Sequence, residues 1–299
     1  MRRLRLLQLI LPFSIPVLLC AGSSTAVPPE VVAQFEPGII EVENDGRTTE
    51  IPYRIRRPKD LTTDEPVPLV IFMHGAGSRG NDNQKQLGWF PESWVTESRL
   101  GGRHRAVIFA PQCPTGGRWA SVATDAEGER RFDASLSPTV PMQAVMKKIE
   151  ELVADPTIDA SRVYLTGLSM GGFGSWDLVS RHPDWFAAVV PICGGGDPSF
   201  ASRIVDSGVP IWTVHGDADR VVPVDLTRTM VGAIRKAGGR VGYTELPGVR
   251  HDSWRFAYGP EGLMEWMVAQ RRPASAEKAS PAAAPVDDSS SSASAPRVR

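Results

Sequence analysis

The chain has 299 residues, 41% of them hydrophobic and 22% charged, with a formal net charge of −1. That length suits one large α/β domain or two small ones, and the near-neutral balance excludes the basic footprint of a nucleic-acid-binding protein. Three cysteines, one of them Cys20 near the N-terminus, exclude a disulfide scaffold. No Cys/His group has zinc-like spacing, so neither a metal nor another cofactor is expected.

In chain order, Arg2, Arg3 and Arg5 precede an apolar run from Leu6 to Leu19, and Ser24-Thr25-Ala26 follows with small side chains. This pattern predicts a signal peptide over residues 1–26 and an exported protein, periplasmic or secreted. The run is short for a membrane span and carries Gln8, Pro12 and Pro16, so no stable span is expected after leader cleavage. The alternative is a membrane anchor formed by an uncleaved leader.

Residues 27–272 alternate strand-type and helix-type segments. Val31–Val42 and Ile51–Arg56 read as strands, with Asn44-Asp45-Gly46 as the tight turn of a hairpin. Continuous apolar runs at Leu69–Met73, Ala106–Ala110, Val163–Thr166, Ala187–Ile192 and Ile211–Val214 suit strands covered on both faces. Val241–Leu246 alternates, as an edge strand does. Helical spacing runs over Val140–Val153 and over Leu226–Ala237, where Gly238-Gly239 ends it. Such alternation predicts a mostly parallel, doubly wound sheet of about eight strands with helices on both faces and ligands at the carboxyl ends of the strands. Cys113 and Cys193 follow strands that should not be neighbours and are read as free thiols. Residues 273–299 are rich in Ala, Ser and Pro and are expected to be disordered, because they cannot bury enough surface to offset ordering entropy.

Gly167-Leu168-Ser169-Met170-Gly171 fits G-x-S-x-G between a strand and a helix, where a sharp turn lifts the serine oxygen above the sheet. In the chain order nucleophile, acid, base, the histidine after the last predicted strand is His251. His215 closes the strand that precedes the acids and cannot follow them; His182 reads as a surface or capping residue at a helix end. Asp217 and Asp219 compete for the acid. Asp219 is favoured as deeper in the loop, with Asp217 as a turn residue, Asp225 as a helix cap and Asp252 as a minor competitor beside the base. Leu69–Met73 runs into His74-Gly75-Ala76-Gly77, whose backbone N–H groups can face an oxyanion. The predicted donors are the N–H groups of Ala76 and Met170. His74 is expected to order the loop by hydrogen bonding.

These stretches resemble the small-esterase branch of the α/β-hydrolases, which includes dienelactone hydrolase, the phospholipase/carboxylesterase family and predicted peptidases of the prolyl oligopeptidase type. The resemblance is carried by Met73–Asn83, Ala110–Pro114 with Trp119, Gly167–Gly172, Ile192–Asp197, His215–Pro223 and Gly248–Trp254. It implies an α/β-hydrolase fold, triad roles for Ser169, Asp219 and His251, oxyanion roles for Ala76 and Met170, and a pocket lined by Gln112 and Trp119. It also implies a serine hydrolase cleaving small or polysaccharide-linked esters. Cys193–Pro210 is too short for a large cap domain, so the site should be open, with Pro114–Pro138 as one wall. A peptidase on the same machinery is the alternative, set back by the short interval before the first strands, and a non-catalytic binding protein is a more distant one.

Overall fold

The computed structural model describes residues 26–96, 104–124, 126, 128, 130–259 and 262–272. The expected leader, apart from Ala26, and the expected tail lie outside the described residues.

Among the described residues there are ten strands: β1 (Glu36–Asn44), β2 (Arg47–Arg56), β3 (Val67–Met73), β4 (Val107–Pro111), β5 (Val122–Thr124), β6 (Arg130–Phe132), β7 (Ile158–Leu168), β8 (Ala188–Ile192), β9 (Trp212–Gly216) and β10 (Gly242–Leu246). Eight form one sheet in the order β1-β2-β4-β3-β7-β8-β9-β10, while β5 and β6 make a separate hairpin. β2 is antiparallel to both neighbours, and every pairing from β4 to β10 is parallel. The β1–β2 turn holds Asp45 and Gly46 at φ 50° and 71°, the left-handed pair that a two-residue hairpin needs.

The helices are α1 (Pro29–Val32), α2 (Phe90–Thr96), α3 (Val140–Val153), α4 (Met170–Arg181), α5 (Ala201–Ser207), α6 (Val224–Lys236), α7 (Trp254–Ala257) and α8 (Met264–Ala269). Every residue of β3 is buried, with alternate side chains entering opposite cores. Leu69, Ile71 and Met73 join a cluster with α3, α4, α5 and α6; Val70 and Phe72 join one with α1, α2, α7 and α8. This explains why the central strands read as unbroken apolar runs. Among the described residues no helix is long and apolar enough to cross a membrane.

The start of the first strand differs from its sequence reading. Val31–Phe35 is not strand: Pro28 and Pro29 start a helical turn that buries Val31 and Phe35, four residues apart, and β1 begins only at Glu36. Between β8 and β9 the chain carries only a 3-10 turn, Pro198–Phe200, and α5. The expectation that no cap domain is inserted there holds.

Candidate active site

Three loops at the carboxyl ends of the parallel strands bring Ser169, Asp219 and His251 together. Ser169 lies between β7 and α4 at φ 53° and ψ −118°. This left-handed conformation is unusual for a residue with a side chain and marks stored strain at a turn. The flanking glycines make the turn possible. A Cβ on Gly167 would fall 2.5 Å from the Gly171 carbonyl oxygen, and one on Gly171 only 1.8 Å from that of Met73. The Ser169 N–H donates to the Ile192 carbonyl at 2.9 Å, which ties the turn to the end of β8.

His251 Nε2 is 2.9 Å from Ser169 Oγ, and its Nδ1 is 2.6 Å from Asp219 Oδ2. Asp219 Oδ1 accepts from the N–H groups of Val221 and Val222 at 2.8 and 2.9 Å. Burial opposes the charge on Asp219, but bonds from His215, His251 and the Val222 amide outweigh it and hold the carboxyl well below its ordinary range. The order and geometry are those of a nucleophile, a base and an orienting acid. Asp217 takes another role, accepting from the Gly248 N–H at 2.6 Å and so fixing the turn before His251. Asp252 faces Arg255 at 3.7 Å, on the surface. Asp225 does not cap α6, whose first turn has no side-chain cap; it pairs with Arg228 at 2.8 Å.

The loop after β3 passes directly beside the nucleophile. A Cβ on Gly75 would lie 3.6 Å from Ser169 Cβ. Ala76 and Met170 each begin a helix, the 3-10 turn Ala76–Ser78 and α4, so neither N–H has an acceptor within its own helix. Both are therefore available to an oxyanion. His74 is fully buried and orders this loop as expected. Its Nε2 accepts from the Cys113 N–H at 2.9 Å, and its Nδ1 donates to the Gly75 carbonyl at 2.7 Å.

The two expected pocket residues do not line a pocket. Gln112 is fully buried and spent on the loop: Oε1 accepts from Asn83 N–H at 2.7 Å, and Nε2 donates to Ser78 O at 3.1 Å and Asp82 Oδ1 at 3.3 Å. Trp119 is also fully buried, with Nε1 donating to the His74 carbonyl at 3.0 Å and its Cβ against Gly174. Both support the oxyanion loop from behind.

Other neighbours of the site were not legible as such. Trp254 sets its ring 5.2 Å from that of His251, edge to face, and Trp89 follows 5.5 Å further on under the Arg255 guanidinium. Trp89 is 39% exposed and holds a left-handed backbone at φ 67°. A bulky residue in that conformation is a structural signal that sequence does not carry. Cys193 is buried behind the triad and its thiol is pushed up to about 12 by burial. Cys193, Asp219 and His251 have ligand atoms within 4.8 Å of one another, the one grouping among the described residues close enough to share a metal ion. The triad already engages two of its three members.

A family model described as phospholipase/carboxylesterase matches residues 61–257. Among curated proteins, the chain is 34% identical to esterase LipC of Mycobacterium tuberculosis, over 65% of this chain and 55% of that protein. It is 27% identical to poly(3-hydroxyalkanoate) depolymerase C of Paucimonas lemoignei, over 64% of this chain and 41% of that one. The chain thus spans about half the length of these relatives. A crystal structure of a thermostable esterase is 38% identical with a TM-score of 0.70, covering 81% of this chain and 64% of that one. Joined to the eight-stranded sheet and the strained serine turn, the match over residues 61–257 establishes that the chain belongs to the phospholipase/carboxylesterase family.

Proposed function

We propose that the chain is a serine hydrolase that cleaves carboxylic esters through an acyl-enzyme on Ser169. The observation that carries this reading is the unbroken relay from Ser169 Oγ to His251 at 2.9 Å and from His251 to Asp219 at 2.6 Å. His251 Nε2 takes the hydroxyl proton as Ser169 Oγ attacks the ester carbonyl. The tetrahedral oxyanion faces the N–H groups of Ala76 and Met170. Asp219 fixes the imidazole orientation and balances the imidazolium. His251 then returns the proton to the leaving alkoxide, and a water activated by the same nitrogen releases the acid.

The leaving oxygen must lie on the His251 side, because that ring protonates it. Beyond that ring the exposed Trp89, packed on the buried Trp254, offers the alcohol half an aromatic surface suited to an aryl or sugar ring. This supports esters carried on a ring-bearing alcohol, alone or within a polymer. We also propose export, a reading supported by the Arg2–Arg5 cluster, the apolar run and Ser24-Thr25-Ala26. N-terminal sequencing of the protein from fractionated cells tests it.

The catalytic test is a panel of esters graded in acyl length and in alcohol, with a proline-peptide anilide alongside, for the wild type and Ser169→Ala. Ester turnover that falls by roughly 10⁴-fold or more in the variant supports the reading. Cleavage of the anilide alone moves the chain to the peptidases, and failure to react with every ester and with a fluorophosphonate rejects catalysis at Ser169.

A further inference from the structure

His215 is a histidine that the triad leaves unused, yet it touches the triad. It lies near the end of β9, fully buried. Its Nε2 is 2.9 Å from the Val222 carbonyl oxygen and 3.3 Å from Asp219 Oδ2. A carbonyl and a carboxylate only accept, so Nε2 carries a hydrogen and donates. Its Nδ1 lies 2.7 Å from Thr227 Oγ1 on α6, and Thr227 in turn donates to the Gly194 carbonyl beyond β8 at 2.5 Å. The ring therefore joins β9, the acid loop, α6 and the segment after β8.

We propose that His215 is a positioning residue for the acid, the second imidazole donor to Asp219. Three hydrogen bonds converge on that carboxylate, two backbone amides on Oδ1 and His251 on Oδ2, and the His215 Nε2–H shared with Val222 stands 3.3 Å from the same Oδ2. The same His215 N–H holds the Val222 carbonyl, whose residue supplies one of those amides. His215 thus fixes the carboxylate twice, once directly and once through the turn that grips it. A carboxylate held this way cannot rotate Oδ2 away from His251, and it shares its charge between two rings instead of giving all of it to one.

The charged and titratable surroundings of His215 are few. Glu245 of β10 is its register partner and is engaged by Arg228 of α6, which also pairs with Asp225. Asp219 and Asp217 belong to the loop beyond β9, and Cys193 follows β8. Of these, only Asp219 is within reach of an ion pair with His215 among the described residues.

The inference rests on the ester-hydrolase reading, and two variants separate it from a structural role. A glutamine amide nitrogen falls where Nε2 stands, while an asparagine amide nitrogen falls where Nδ1 stands. His215→Gln keeps the donor to Val222 and Asp219; His215→Asn keeps only the contact with Thr227. Without the donor the carboxylate becomes more basic and stabilises the His251 imidazolium more strongly. The acidic limb of kcat/KM should then move to higher pH.

Each enzyme is titrated with a fluorophosphonate so that kcat refers to competent sites alone. A wild type that neither titrates nor turns over ester refutes the hydrolase reading itself. Given an active wild type, His215→Asn is expected to lose about 10- to 100-fold in kcat, the worth of one hydrogen bond to a charged group, with KM nearly unchanged and the acidic limb raised. His215→Gln should stay within a few-fold on every count. Equal losses in the two variants, or an acidic limb that does not move in His215→Asn, overturn the proposal. Should His215→Asn not fold, Thr227→Val loosens the ring from its other side; a smaller limb shift in the same direction supports the proposal, and none overturns it.

Discussion

His74 carries a proton balance that reaches beyond its loop. Burial, with the Arg79 charge in support, lowers its pKa from 6.5 to about 4. Its Nε2 must also stay unprotonated to accept from Cys113. The unfolded ring takes up a proton near pH 6.5 and the folded ring only near 4, so between those values the unfolded chain binds more protons. The contribution of His74 to stability is complete above about pH 6.5 and is lost as pH falls towards 4, a difference of about 3 kcal/mol at most. In His74→Gln the side-chain oxygen can still accept from Cys113 and has nothing to titrate. Urea unfolding between pH 7 and 4.5 should fall steeply in the wild type and less in the variant; parallel slopes would reject a titrating His74. The same loop shows where sequence reading stopped. Ser169, Asp219 and His251 were legible because their order and their places after strands are fixed by the chemistry. Gln112 and Trp119 stand equally close to motifs, but whether a side chain turns toward the cleft or the core depends on a loop path that residue identity does not encode. His215 was read only as a strand-end residue that cannot follow the acid, and its contact with Asp219 appears only when the loop closes over β9.

At the level of elements, the segment that carries the β5–β6 hairpin is pinned by a buried ion pair on α4. Arg181 Nε is 2.7 Å from Asp177 Oδ2, with the two side chains 9% and 4% exposed. Arg181 also donates to the Leu136 carbonyl at 2.8 Å and to Ser121 Oγ at 3.1 Å, and Asp177 Oδ1 accepts from the Ser121 N–H at 3.3 Å. Together they anchor both ends of the segment that holds the β5–β6 hairpin. Burial pushes the Asp177 carboxyl up, against the pull of Arg181. Arg181→Met leaves that carboxylate buried without its partner and should cost about 3–5 kcal/mol. Asp177→Asn added to Arg181→Met should recover much of the loss, because no ion is then buried. Thermal unfolding of the three proteins checks this, and a double variant no better than the single one would refute the buried-charge explanation. The hairpin itself could not be read from the polar run between Pro114 and Pro138, since three-residue strands leave almost no periodicity. At Val31–Phe35 the apolar residues suited either period, and the preceding prolines, not hydrophobicity, settled it as a helical turn. β10 read as an edge from its alternation, and it is one.

For the whole molecule, the question is whether the two cores fail together. Strand existence was legible from apolar runs, but the order β4-β3-β7 was not, because parallel neighbours are chosen by packing between segments far apart in sequence. That order places β3 and β7 in the middle, where each feeds both clusters: Leu69 and Leu165 one, Val70 and Tyr164 the other. Neither face can come apart without exposing strands that the other still needs, so unfolding should be one cooperative event. Two free cysteines report on the faces separately. Cys113 belongs to the cluster with α3–α6 and Cys193 to the cluster with α1, α2, α7 and α8; burial pushes both thiols up to about 12. In native buffer at pH 8 neither should react with iodoacetamide, since thiolate and access are both missing. Across a urea series, alkylation followed site by site with mass spectrometry should rise at one shared midpoint for the two residues. If Cys193 reacts at lower urea than Cys113, the α7–α8 face opens alone, and with it the helix that begins at Trp254 beside the catalytic histidine. Activity would then be lost before the fold, and the shared central strands would not be what couples the site to the stability of the sheet.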